Sequence, residues 1–364
     1  MQSTERLRFS RKDPKKFFKT LNNRVNEYFK LNKIEKTGNW KLYLKTFVMF
    51  LLLIAPYVLI LTLSISLWIK LLLCVVMGLG MAGVGMNVMH DGNHGSFSKY
   101  QWINNFMGSS IYFLAGNVFN WKIQHNLLHH TYTNIHGHDE DLEAGRILRF
   151  SKHSQWMPHH RFQHFYSVLL YGLLTLNWAV FTDFQQMKRY TKKKLSYLNS
   201  KRPSIQWTGL FITKILYFFI WIALPIIVID APWWSILIGF VVMHYTAGLI
   251  LSLVFQLAHV MEDAQMPKPD KSGTMKNTWA IHQLLTTVNF STKNKILNWF
   301  TGGLNHQIEH HIFPHISHIH YNKIGAIVKK TAEEFNLPYN EYRTIQSALF
   351  SHFKFLKQMG MQPT

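Results

Sequence analysis

The chain has 364 residues, a formal net charge of +21, 21 histidines and a single cysteine. Its length would suit one large or two modest soluble domains, but its apolar residues, 48% of the whole, gather in long uncharged blocks that a soluble protein does not carry. Cys74 stands alone in one such block, so disulfides, thiolate metal sites and iron–sulfur clusters are excluded within the chain, and any metal must be held by nitrogen and oxygen ligands. No basic stripe is interleaved with base-stacking residues, which argues against nucleic acid as the partner of the positive excess. A cytoplasmic membrane face explains it better.

Residues 1–45 carry thirteen Lys/Arg against four Asp/Glu, with Phe17, Phe18, Tyr28 and Phe29 between them. A cleavable signal would run from a short basic stretch straight into an apolar core, so this segment is expected instead to rest on an anionic leaflet. Uncharged runs then predict four membrane spans, over about 46–69, 71–89, 209–229 and 233–258. Each is close to the roughly 20 residues that cross a hydrocarbon core. Lys70 is read as the turn between the first two spans and Asp230-Ala231-Pro232 as the turn between the last two; Trp233 and Trp234 suit an interfacial aromatic belt. Nearly all Lys/Arg lie in the N-terminal arm, in residues 90–206 and after 259, so both termini and the long loop are expected in the cytoplasm. Tyr166–Phe181, sixteen uncharged residues, is read as an interfacial or re-entrant helix. If it crossed, the histidines after 259 would face the other side of the membrane from those before 130. Pro is sparse and strand-like alternation is rare, so the fold is read as an all-α integral membrane protein.

Three histidine groups fall in the basic segments: His90-Asp-Gly-Asn-His94, His125-Asn-Leu-Leu-His129-His130 and Asn305-His306-Gln307-Ile-Glu-His310-His311. On a helix, positions i and i+4 share a face, so His90 with His94, and His125 with His129, can grip one ion. An adjacent second histidine points about 100° away and can serve a neighbouring ion. Imidazole suits iron, zinc, copper or nickel. A structural zinc site closes with four ligands, so seven or more histidines argue for a pair of ions. His259 closes the fourth span as His90 closes the second, and is counted as a further ligand. His160 and His164 share the ligand spacing but are read as a surface or capped core pair, and His315, His318 and His320 as outer or surface residues. His244, in mid-span, is read as a neutral imidazole bonded to a neighbouring helix. Asp91, Asp139, Asp141 and Glu309 are candidate acceptors for imidazole N–H groups. The basic run Lys188, Arg189, Lys192, Lys193 and Lys194 is read as attraction to the leaflet, with a lipid or CoA headgroup as the alternative.

At these residues the sequence closely resembles the membrane fatty-acid desaturases, whose three histidine boxes match His90–His94, His125–His130 and Gln307–His311. Gln307 at the head of the third box, and the run from His129 to Asp141, resemble the front-end subgroup. The resemblance covers nearly everything after residue 45. It implies a desaturase domain over 46–364, in which four transmembrane helices carry a cytoplasmic helical cap holding a non-haem di-iron centre. It implies two Fe2+ ions held by His90, His94, His125, His129, His130, Gln307, His310 and His311, to which the position of His259 adds a further expected ligand, with O2 as co-substrate and a fatty-acyl chain, on CoA or lipid, as substrate. His306 stands where relatives often have an aromatic residue, so His306 and Gln307 compete to complete the third box; alignment favours Gln307. No His-Pro-Gly-Gly haem motif occurs in the 364 residues. An external electron donor of ferredoxin or cytochrome b5 type is therefore expected, and a bacterial plasma membrane in preference to the endoplasmic reticulum. A membrane hydroxylase or ketolase would share the ligand set, whereas a transporter would place its ionisable groups near mid-bilayer.

Overall fold

The structure is a computed structural model that describes residues 7–11, 16–142, 145–195 and 202–361. The chain divides into two units, one of residues 38–123 and 167–253, the other of residues up to 37, 124–166 and 254 onward. Four helices are long and apolar enough to cross a membrane: Trp40–Thr62, Leu67–His94, Pro203–Val228 and Trp233–His259.

The first of these starts where the Asn39 side chain accepts a hydrogen bond from the Lys41 N–H at 3.0 Å, which satisfies one of the donors a helix start leaves over. It stops at Thr62, and Ser66 caps the second span by accepting from Ile69 N–H at 3.4 Å. The turn expected at Lys70 therefore lies at residues 63–66, and Lys70 is inside the second helix. A lysine near a span's end can snorkel and need not break it, whereas a serine with extended backbone does end one helix and begin another. Close packing between these two helices depends on Gly80, where an added Cβ would lie 2.5 Å from the backbone nitrogen of Leu53. The second helix also runs past residue 89 to include the whole of His90–His94, with a wide π-turn over Gly85–Met89.

The segment expected as one interfacial helix over 166–181 is two helices, Pro158–Gly172 and Leu174–Lys192, bent 60° to one another. The second helix passes through a π-turn at Trp178–Thr182. Hydropathy registered the apolar run but carries no signal for the break.

In the other unit the N-terminal helix Phe17–Leu31 buries Phe17, Leu21, Val25 and Phe29, a stripe at four-residue spacing. That stripe packs into one core with Ile308, Ile312 and Phe313 and with Ile324, Val328 and Ala332 of the helix Tyr321–Glu334. Arg24 reinforces the contact, with Nη2 2.6 Å from Glu334 and Nη1 donating to Thr331 Oγ1 at 3.0 Å. The apolar face expected to lie on a leaflet is thus buried inside the protein. Two parallel pairings qualify the all-helical expectation: Arg8–Phe9 with Thr274–Met275, and Asn289–Phe290 with Glu341–Tyr342. Strands of two residues are too short to alternate, so no period could reveal them.

Candidate metal centre

His90 and His94 occupy the last turn of the second membrane helix, their rings 4.6 Å apart, and the edge of Trp121 meets both at 5.8 and 5.6 Å. Gly92 between them is required by packing: an added Cβ would sit 2.5 Å from the backbone nitrogen of Gly108. The Asn93 side chain then donates to the Gly108 carbonyl at 3.0 Å and fixes that approach.

The second unit gathers His125, His129, His130, His259, His310 and His311. Two sets of three have ligand nitrogens within 4.8 Å of one another: His129 with His259 and His311, and His130 with His310 and His311. The neighbours His129 and His130 therefore separate into different sets, as their side-chain directions require. The helix that bears them is not an α-helix. Lys122–His129 is π-helical, and a π-turn closes on i+5, not i+4. Accordingly the ring of His125 is nearer His130, at 4.8 Å, than His129, at 5.1 Å. His125 and His129, expected to pair from their spacing, still share with Asp141 a group whose potential ligand atoms lie within 4.8 Å of one another. Residues from 307 form a short helix, Gln307–Ile312, whose successive His310 and His311 rings are 5.3 Å apart.

The partners of these rings fix which nitrogen carries the proton. His125 Nδ1 lies 2.8 Å from Asp141 Oδ2, and His129 Nδ1 lies 3.0 Å from each oxygen of Asp139. His311 Nδ1 lies 2.9 Å from Gln283 Oε1, and His259 Nδ1 3.4 Å from the Thr286 carbonyl. Ionised carboxylates and carbonyls only accept, so each Nδ1 donates, and the lone pair of the neutral ring is on Nε2. At His129 that Nε2 is fully buried and has no hydrogen-bond partner. A buried imidazole nitrogen is not left so without cost, and a set of such lone pairs fits a nitrogen-coordinated transition metal. Burial disfavours charge at both His125 and His129. At His125 it prevails and lowers the pKa; at His129 the carboxylates of Asp139 and Asp141 outweigh it and raise the pKa. Asp141, which burial alone would raise, is held down by His125 and His129.

Of the four candidate acceptors, Asp139 and Asp141 reach these rings. Glu309 instead accepts from Asn289 Nδ2 at 2.8 Å and Tyr339 OH at 3.0 Å. Asp91 is buried and faces Lys45. His306 Nδ1 lies 3.6 Å from Glu309 Oε2 and belongs to neither histidine set, whereas Gln307 is buried with its side chain beside His259. His160 is structural: its Nδ1 accepts from Met157 N–H and its Nε2 donates to the Arg146 carbonyl at 3.0 Å. His318 and His320 are buried and not on the surface. His244 is held between Tyr217 OH at 2.6 Å and Thr175 Oγ1 at 2.8 Å, as a neutral bridging imidazole should be. The basic run from Lys188 to Lys194 is exposed at Lys188, Arg189, Lys192, Lys193 and Lys194.

Several residues that orient the rings are not legible in the sequence. Gln283 donates to the His130 carbonyl at 3.2 Å, which turns its Oε1 toward His311; Thr133 donates to that same oxygen at 2.8 Å. Trp279 Nε1 donates to the His130 carbonyl at 3.0 Å, and Tyr321 OH lies 3.2 Å from His310 Nδ1. Asn134 donates to the His259 carbonyl at 3.0 Å. None belongs to a histidine spacing pattern, so periodicity does not pick them out. An apolar cavity of about 380 Å³ is lined by Tyr57, Cys74, Met77, Trp221, Phe240 and Met243. Met77 is roughly 20 Å along its helix from His90 at 1.5 Å per residue, so that cavity is apart from His90 and His94.

A family model described as fatty acid desaturase matches residues 66–343, which include all three histidine groups. The chain belongs to the fatty acid desaturase family. An sn-1 linoleoyl-lipid 6-desaturase of Arthrospira platensis is 38% identical over 350 residues, covering 95% of this chain and 93% of its own. A protein of the same name from Synechocystis sp. is 35% identical and covers 99% of both chains. An acyl-lipid (8-3)-desaturase of Physcomitrium patens is 33% identical over 98% of this chain and 74% of its own. This fatty acid desaturase is therefore an oxidoreductase of lipid metabolism that introduces double bonds into acyl chains.

Proposed function

We propose that this desaturase acts on fatty-acyl chains esterified in membrane lipid, using O2, electrons from a small external redox protein of ferredoxin or cytochrome b5 type, and two iron ions. The ligands are His90, His94, His125, His129, His130, His259, His310 and His311, with Gln307 as the weaker ninth. The observation that carries this reading is the Nδ1–H tautomer shared by His129, His259 and His311, which leaves Nε2 lone pairs from three separate chain segments in one buried set. The relatives named for linoleoyl lipid favour lipid over CoA as the acyl carrier, and carbon 6 as the first position to examine.

Iron bound there supplies the O2 chemistry that breaks an unactivated C–H bond, which no side chain can do. The protein's own residues do the rest. Asp139, Asp141, Gln283 and the Thr286 carbonyl hold the rings in one tautomer and orientation. Burial disfavours protonation of His125, and the buried surroundings keep water away from the reacting methylenes. We place the histidines and both termini on the cytoplasmic side of the membrane, on the strength of the distribution of Lys and Arg.

Expression in a host of defined lipid composition tests the carrier. Double bonds appearing first in intact phospholipid, resolved by lipid mass spectrometry, are expected. Their appearance first in the acyl-CoA pool would overturn the choice of lipid.

A further inference from the structure

An ion pair is buried in the membrane helices of the unit that carries the first histidine box. Lys214, in the third span, is 5% exposed and Asp183, in the bent segment, 3%. Lys214 Nζ donates to Asp183 Oδ2 at 2.7 Å, to the Trp178 carbonyl at 2.7 Å and to the Ala115 carbonyl. An ammonium has three protons to donate, and three acceptors meet it. Two of them are carbonyls at irregular backbone. Trp178 opens a π-turn, and Ala115 is left-handed, with φ 61°, at the end of a short 3-10 helix. Irregular backbone at membrane depth persists only where something satisfies it.

The pair also grips the turn just after Ala115. Asn120 Nδ2 donates to the backbone carbonyl of Asp183 at 2.8 Å and to its Oδ1 at 3.2 Å, and the Asn117 N–H bonds the same carboxylate. Asn117 Oδ1 in turn caps the single turn Val118–Trp121, accepting from Phe119 and Asn120 N–H, each at 3.1 Å. Trp121, 8% exposed, ends that turn with its edge against the rings of both His90 and His94. One charge pair thus fixes the turn's entry, its cap and its middle, and the next residue sets the imidazoles. Burying two charges is a poor way to gain stability alone, and its best-attested use is to select one arrangement among several.

We propose that Lys214 and Asp183 are positioning residues for the first histidine box, acting through Asn120 and Trp121 to hold His90 and His94 at their ligating angle. The inference rests on the reading of those two histidines as iron ligands.

The full-length enzyme, purified after iron-replete expression, tests it. Asn120→Ala severs the link and leaves the ion pair intact; Lys214→Met combined with Asp183→Asn removes both charges and strands neither. Each should melt close to the wild type, yet bind iron about tenfold more weakly or show an altered iron Mössbauer doublet, the size of loss typical when a ligand's orienting partner is removed. Each should also lose kcat while KM for the acyl substrate stays within about twofold, because substrate binding is not what the pair governs. Trp121→Ala should reproduce the effect and add little to Asn120→Ala. Lys214→Arg, which keeps the charge, should recover part of the iron signal that Lys214→Met loses. Folded Asn120→Ala protein with wild-type iron content and spectrum would overturn the inference, even if kcat fell, and it decides the matter should the charge-free double variant not fold. Wild-type protein that holds no iron would instead defeat the reading beneath it, before any variant is compared.

Discussion

Asp139 and Asp141 do for His129 and His125 what no ligand can do for itself: they choose the nitrogen that donates and so the nitrogen that can bind metal. Asp139→Asn and Asp141→Asn should each weaken iron binding by about 10–100-fold with little loss of fold, measured by chelator competition. Unchanged affinity would show the carboxylates to be bystanders. Two other buried histidines set the acid limit of stability. Burial pushes His282 and His352 from 6.5 down to about 4, against the weaker support of their bonds to the Thr133 and Val260 carbonyls. The folded state then binds fewer protons than the unfolded one between those values. Stability should therefore be intact above pH 6.5, fall as pH drops toward 4, and level off below, by up to about 3 kcal/mol per histidine. Melting curves across that range check it, and His352→Gln should flatten part of the slope. At this scale the sequence was informative: His125, His129, His130, His310 and His311 fall in groups whose ligand atoms lie within 4.8 Å of one another, because i, i+4 and adjacent placement is a direct geometric constraint. Gln283, Thr133 and Trp279 were invisible because they act over separations of about 150 residues, which no local pattern encodes.

Between elements, what was legible was the apolar stripe, and what it packs against was not. Phe17, Phe18, Tyr28 and Phe29 marked the N-terminal arm as partly amphipathic, but a leaflet and a protein core ask for the same kind of residues. The structure gives the face to a core. Leu21→Ala should cost about 2–5 kcal/mol in melting experiments, as for any large core side chain. A purely leaflet-bound helix would show no such loss in detergent. The four spans were found from the absence of charge, whereas their ends were displaced because caps, not lysines, terminate helices: Ser66 shows this at the first turn. The π-turns at Gly85–Met89 and Lys122–His129, each running into histidine ligand candidates, have no reading in a 3.6-residue period. Gly92→Ala is expected to disrupt the first box, since a backbone nitrogen 2.5 Å from the new Cβ cannot move aside as a side chain could. Iron content of the purified variant should fall, and full retention would mean that the helix can shift without consequence.

For the molecule as a whole, sidedness follows from the number of crossings. Four spans return the chain to the side on which it began, while a fifth across the bent pair Pro158–Gly172 and Leu174–Lys192 would not. With Cys74 replaced, cysteines placed at His159 and Lys193, before and after the bend, should react alike with an impermeant thiol reagent added to one side of sealed vesicles. Opposite labelling would make the segment a true crossing. The central claim, a lipid acyl desaturase whose histidines hold the oxidising metal, is tested most directly by gas chromatography–mass spectrometry of fatty-acid methyl esters from a host expressing the chain. The account predicts new unsaturated species that disappear with His310→Ala at equal protein level. Hydroxylated products, or unsaturated products that survive His310→Ala, would contradict it.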